Sequence, residues 1–63
     1  MNTGTVKFYN TEKKFGFITD DKTGKEIFVH VSGLVDEIQT NDKVRFETTD
    51  GKKGLNAIEV RQA

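Results

Sequence analysis

Ile27-Phe28-Val29-His30-Val31, read beside Phe15-Gly16-Phe17-Ile18-Thr19-Asp20, decides how this chain folds. Both stretches alternate with a period of two, and successive side chains of a strand point to opposite faces. Ile27, Val29 and Val31 therefore share one face of the first stretch, and Phe28 with His30 the other. The second stretch divides the same way, Gly16 and Ile18 against Phe15 and Phe17. Aliphatic side chains are the natural filling of a narrow barrel. If the two strands pair, Phe15, Phe17, Phe28 and His30 form one outward patch of flat rings.

Outward from this pair the short period continues, with β-branched and aromatic runs between turn residues. Five strands are predicted, over residues 4–10, 15–20, 27–31, 43–49 and 56–61. Asp50-Gly51 is a hairpin signal, because glycine accepts the positive φ of a tight turn, and Thr23-Gly24 is a weaker one. Leu34, Val35 and Ile38 have the spacing of a short helical turn that would bury Leu34 and Ile38; a compact loop over residues 32–42 is the alternative. Five short strands in 63 residues suit a closed or partly open Greek-key barrel better than a two-sheet sandwich.

A chain of this length holds one domain, spanning residues 1–63, and buries only about 60% of the surface its unfolded form exposes. Without cysteine there is no disulfide framework and no thiolate metal site, which fits a reducing cytoplasm. The opening Met1-Asn2-Thr3-Gly4 lacks the charged and apolar regions of an export signal, and no run approaches the length that spans a bilayer. A soluble, unexported protein is expected.

Ten basic and ten acidic side chains cancel, so bulk positive charge does not hold this protein to a polyanion. Phe8, Tyr9, Phe15, Phe17 and Phe28 nevertheless crowd into the first half, leaving only Phe46 in the second. An exposed patch of contiguous rings invites aggregation unless something covers it. Single-stranded nucleic acid suits such a patch, because every base has a π-face and stacking tolerates sequence. Lys7, Lys13 and Lys14 flank the rings in sequence, where they can hold phosphates. Alternation alone also allows the ordinary arrangement in which paired phenylalanines fill a core.

Lys13-Lys14-Phe15-Gly16-Phe17-Ile18 resembles the first ribonucleoprotein motif, a basic residue leading into aromatic-glycine-aromatic. Ile27-Phe28-Val29-His30-Val31-Ser32 resembles the second such motif of bacterial cold-shock proteins. Gly4-Thr5-Val6-Lys7-Phe8-Tyr9-Asn10 is similar to the opening strand of that family, and Gly51-Lys52-Lys53-Gly54-Leu55-Asn56-Ala57 to its last turn. The likeness covers essentially the whole chain. It implies an all-β fold, a five-stranded antiparallel Greek-key oligonucleotide-binding (OB-fold) barrel, that binds single-stranded RNA and DNA as a monomeric RNA chaperone. By the same resemblance Phe8, Phe15, Phe17, Phe28 and His30 stack bases, and Lys7, Lys13 and Lys53 contact backbone or base edges with Asn10 beside them.

Several positions depart from the family pattern. Phe8 stands where tryptophan is usual, Tyr9, expected beside Phe8 at the edge of the patch, where phenylalanine is usual, and Leu55 where a proline is familiar. Lys14 replaces a glycine, which adds charge and strains the turn if that position needs positive φ. Val31 occupies an often aromatic site, and the shortened 32–42 stretch lacks the family's aromatic, so a smaller footprint and weaker binding are expected. Phe8 also shares parity with Val6, which belongs in the core; an outward Phe8 requires a bulge or a twist between them.

Other chemistries are poorly supplied. His30 and Ser32 stand two apart, the spacing of neighbours on one strand face, but a hydrolase also needs an orienting acid, an oxyanion hole and a pocket. With one histidine and no cysteine, no metal site is expected. Gly24-Lys25 fails as a phosphate loop, since Glu26 follows where Ser or Thr belongs. No enzyme activity and no cofactor are expected. Asp36, Glu37, Asp42, Glu47, Asp50 and Glu59 read as a solvated back face. The rival function is a protein-interaction module using the same aromatic patch. Salt separates the two, because single-strand affinity falls with a logarithmic slope of about 0.7 per phosphate contacted.

Overall fold

The computed structural model describes residues 2–51 and 54–63. Five strands, β1 (Asn2–Asn10), β2 (Phe15–Asp20), β3 (Glu26–His30), β4 (Lys43–Gly51) and β5 (Gly54–Gln62), close into a barrel in the order β1-β2-β3-β5-β4. The β3–β5 contact is parallel, pairing Phe28 with Asn56 and Val29 with Ala57, and the other pairings are antiparallel. The expected five-stranded all-β barrel is therefore the fold. Among the described residues no helix is long and apolar enough to cross a membrane.

The core is what the alternation demands. Val6, Ile18, Ile27, Val29, Val44, Phe46, Ala57 and Val60 point inward from the five strands, and Ile38 joins them from the connection between β3 and β4. Tyr9 and Leu34 pack half-buried against this cluster. Gly16 is a glycine for steric reasons, since a Cβ there would lie 2.8 Å from the Tyr9 Cα.

The bulge required by Val6 and Phe8 is present. Val6 pairs with Ile18 and Phe8 with Phe17, so Lys7 is an extra residue in β1. One inserted residue reverses the facing of all that follows it. Phe8 consequently turns outward, and Tyr9, expected beside Phe8 at the edge of the patch, turns toward the core instead. At this point the partner of β1 is the chain just before β4. The Val6 amide donates to the Asp42 carbonyl (2.8 Å), and the Asn41 amide donates to the Val6 carbonyl (2.7 Å).

Two expectations are corrected, and one open alternative is decided. Val31 does not join Ile27 and Val29 in the core but is 37% exposed. The strand ends at His30, and Val31–Gly33 forms a 3-10 turn whose first amide donates to the Lys14 carbonyl, so alternation stops one residue early. The 32–42 stretch makes no α-helical turn; it runs as a compact loop in which Ile38 is buried, Leu34 is half-buried, and the Val35 amide donates to the Val60 carbonyl (2.8 Å). Finally, Asp50 and Gly51 lie within β4, opposite Leu55 and Gly54, and positions 52 and 53 are outside the described residues. Gly51 lies close under Asn56, where a Cβ would lie 2.8 Å from Asn56 Cγ and would make that side chain shift. The weaker signal, Thr23-Gly24, does mark a turn: Gly24 has φ +71° and its amide donates to the Asp20 carbonyl.

The acidic back face is only partly solvated. Asp36, Glu37, Asp50 and Glu59 are exposed, but Asp42 and Glu47 are half-buried. The Asp36 and Asp42 carboxylates accept the backbone amides of Gln62 and Gln39, which anchors the long loop.

Candidate nucleic-acid interface

The outer face of β1, β2 and β3 carries the rings. Phe8 lies opposite Phe17, Phe17 opposite Phe28, and Phe15 opposite His30. Cross-strand neighbours stand about 4.5–5.5 Å apart at Cβ, with diagonal neighbours still within reach of aromatic rings. The four phenylalanines form a closed set of contacts. Phe8 and Phe17 (6.3 Å between centroids) and Phe15 and Phe28 (5.8 Å) lie near parallel, each pair at 24°. Phe8–Phe15, Phe15–Phe17 and Phe17–Phe28 meet edge to face. Both geometries satisfy the aromatic quadrupole.

This mutual packing explains the burial. Phe15, Phe17 and Phe28 are half-buried because each ring shields its neighbours' edges, whereas Phe8, at the margin, is 40% exposed. His30 is exposed at the other end of the face. The four rings expected on one outward patch are thus together, and Phe8 joins them through the bulge.

Polar groups surround the rings unevenly. Lys13 and Lys14 are exposed in the turn between β1 and β2. Asn10 shapes that turn: its side-chain oxygen accepts the Glu12 amide (2.9 Å) and the Lys13 amide (3.0 Å), while its carbonyl accepts the Lys14 amide (2.8 Å). Lys14 takes the left-handed conformation, φ +62°, so the condition under which its replacement of a glycine strains the turn is met. Lys7, exposed at the bulge, donates from Nζ to the Glu26 carboxylate across β2. Lys53 lies outside the described residues.

Glu26 is a neighbour of the rings that sequence reading passed over. Glu26 has the parity of Phe28 and His30, which places it on the ring face, a signal available in the alternation itself. Ser32 closes on His30, with Oγ 3.0 Å from the imidazole Nδ1. Among the described residues no cluster of three or more His, Asp or Glu is arranged to hold a metal ion. A cleft of about 570 Å3 lies elsewhere, lined by Tyr9, Leu34 and Ile38 among others and by none of the four outward phenylalanines.

The chain matches the model of the "'Cold-shock' DNA-binding domain" over residues 2–63. It is 47% identical to the major cold shock protein of Micrococcus luteus, covering 95% of this chain and 96% of that one. The cold shock-like protein CspA of Stigmatella aurantiaca is 48% identical over 97% and 96% of the two chains, and the cold shock protein ScoF of Streptomyces coelicolor 40% identical over the full length of both. Among solved structures, drosophila Unr CSD456 superposes with a TM-score of 0.81 at 26% identity, over 98% of this chain and 26% of that longer one. With barrel, ring face and sequence in agreement, the chain belongs to the cold-shock domain family of nucleic-acid-binding proteins.

Proposed function

We propose that this protein binds single-stranded RNA and DNA with little sequence discrimination and acts as an RNA chaperone, as a cytoplasmic monomer. Bases stack on Phe8, Phe15, Phe17 and Phe28 with His30 at the end of the row. Lys7, Lys13 and Lys53 contact phosphates or base edges, and Asn10 supports them by holding the turn that carries Lys13. The observation that carries this reading is the set of four phenylalanine rings in mutual contact on an outer sheet face. Stacking a base on such a ring is worth about 1–3 kcal/mol and is indifferent to base identity. Unwinding is passive, because a protein that binds only the open strand shifts the pairing equilibrium toward it by mass action. The same mass action lets it regulate transcription or translation in the cold.

The test is a titration with labelled oligonucleotides at several salt concentrations, followed by anisotropy. Saturable, salt-weakened binding to single strands with much weaker binding to a duplex of the same sequence is expected. Absence of binding to single strands would remove this function and leave the ring face to a protein partner.

A further inference from the structure

Resting on that reading, we propose that Ser32 is a positioning residue: it fixes the His30 ring so that its Nε2–H edge is a directed hydrogen-bond donor to a base seated at the end of the ring row. The Ser32 backbone amide lies 3.2 Å from His30 Nδ1 and donates to it. An amide nitrogen can only donate, so Nδ1 is the acceptor and the neutral ring carries its proton on Nε2. Ser32 Oγ, 3.0 Å from the same Nδ1, then donates its own hydrogen there. Two donors from one residue converge on one ring nitrogen. His30 at the same time caps the 3-10 turn Val31–Gly33 through this bond, so ring orientation and turn geometry are set together.

The consequence concerns the free edge of the ring. His30 is exposed and lies directly across from Phe15, on the face where the rings lie. A base stacked on Phe15 or Phe28 presents its edge to His30, and the fixed tautomer offers that edge a donor. Phenylalanines supply faces without direction; Nε2–H supplies one direction. The matching group is an acceptor on the base, a carbonyl oxygen or an unprotonated ring nitrogen.

The test has a part that needs no ligand. Long-range nitrogen–proton NMR of the free protein is expected to show the Nε2–H tautomer at His30; a predominantly Nδ1–H ring overturns the proposal. Ser32→Ala, which removes the hydroxyl donor, is expected to weaken oligothymidylate binding by about twofold to fivefold. Ser32→Thr, which keeps it, should retain wild-type affinity. The Ser32→Ala effect should vanish in a His30→Phe background, and an equal loss in both backgrounds overturns the positioning role. A single abasic site moved along the strand should abolish the Ser32 dependence at one position; persistence at every position overturns the assignment to a base. A wild-type protein that binds no single strand overturns the binding reading itself and the donor's role with it. Binding with no response to Ser32→Ala overturns the present proposal alone.

Discussion

The rings of Phe15 and Phe28 lie 5.8 Å apart and 24° from parallel, although neither is the other's cross-strand partner. Phe15 pairs with His30, and Phe28 with Phe17. The contact is diagonal, and together with the parallel pair Phe8–Phe17 it gives the sheet two stacked rows locked by perpendicular contacts. Removing one ring therefore uncovers its neighbours as well as losing a platform.

Phe17, like Phe15, touches all three other phenylalanines, so Phe17→Ala disturbs the whole face. It is expected to weaken single-strand binding by about 1–3 kcal/mol. Ile18, the next residue, is fully buried, and Ile18→Ala should instead cost about 2–5 kcal/mol of stability. Oligonucleotide titration beside denaturant unfolding of both variants checks the contrast. A Phe17→Ala protein that unfolds while Ile18→Ala stays folded would reverse the two faces of β2.

Lys13 and Lys7 should differ. Lys13→Gln is expected to lower the logarithmic salt slope of single-strand binding by about 0.7, the loss of one phosphate contact. Lys7 already has a carboxylate partner in Glu26, so reaching a phosphate costs it that contact. Lys7→Gln should therefore lose less affinity than Lys13→Gln, measured by anisotropy in the same salt series.

Lys14 holds φ +62°, where a residue with a Cβ is strained by about 1 kcal/mol or more. Lys14→Gly relieves that strain and is expected to raise the denaturation midpoint without changing the m-value. The same change removes a cation beside the ring face, so stability should rise while strand affinity falls.

Gly16 lies on the core side of β2 against the backbone of β1, where a Cβ would strike the Phe8 carbonyl oxygen and approach Tyr9 Cα. Gly16→Ala is expected to cost about 1–3 kcal/mol of stability through overpacking. Because the displaced backbone is that of Phe8, strand binding should weaken too, although Gly16 itself faces away from the rings. Thermal unfolding and titration of the variant test both halves.

The strands, the core and the ring pair Phe17–Phe28 were legible because a barrel this thin must alternate, and alternation is written in residue types. Phe8 was not legible by pattern alone. Its facing depends on one inserted residue, Lys7, and nothing in the identity of Lys7 announces a bulge. Resemblance supplied what periodicity lacked, yet Tyr9, governed by the same insertion, was expected at the patch edge and lies toward the core. Val31 was misread because hydrophobic period does not say where a ladder stops; a bond to the Lys14 carbonyl, 17 positions earlier in the chain, decides that. Gly51 was read as a turn because glycine signals freedom and close approach with the same letter.

Closure of the barrel bears on how such a surface is tolerated at high concentration. A protein that displays clustered phenylalanines is prone to self-association, and an unpaired strand edge would let that association propagate as a growing sheet. Here every strand has neighbours on both sides. Clustering driven by the phenylalanines would then run face to face, through the surfaces a bound strand would cover, so nucleic acid would itself oppose it.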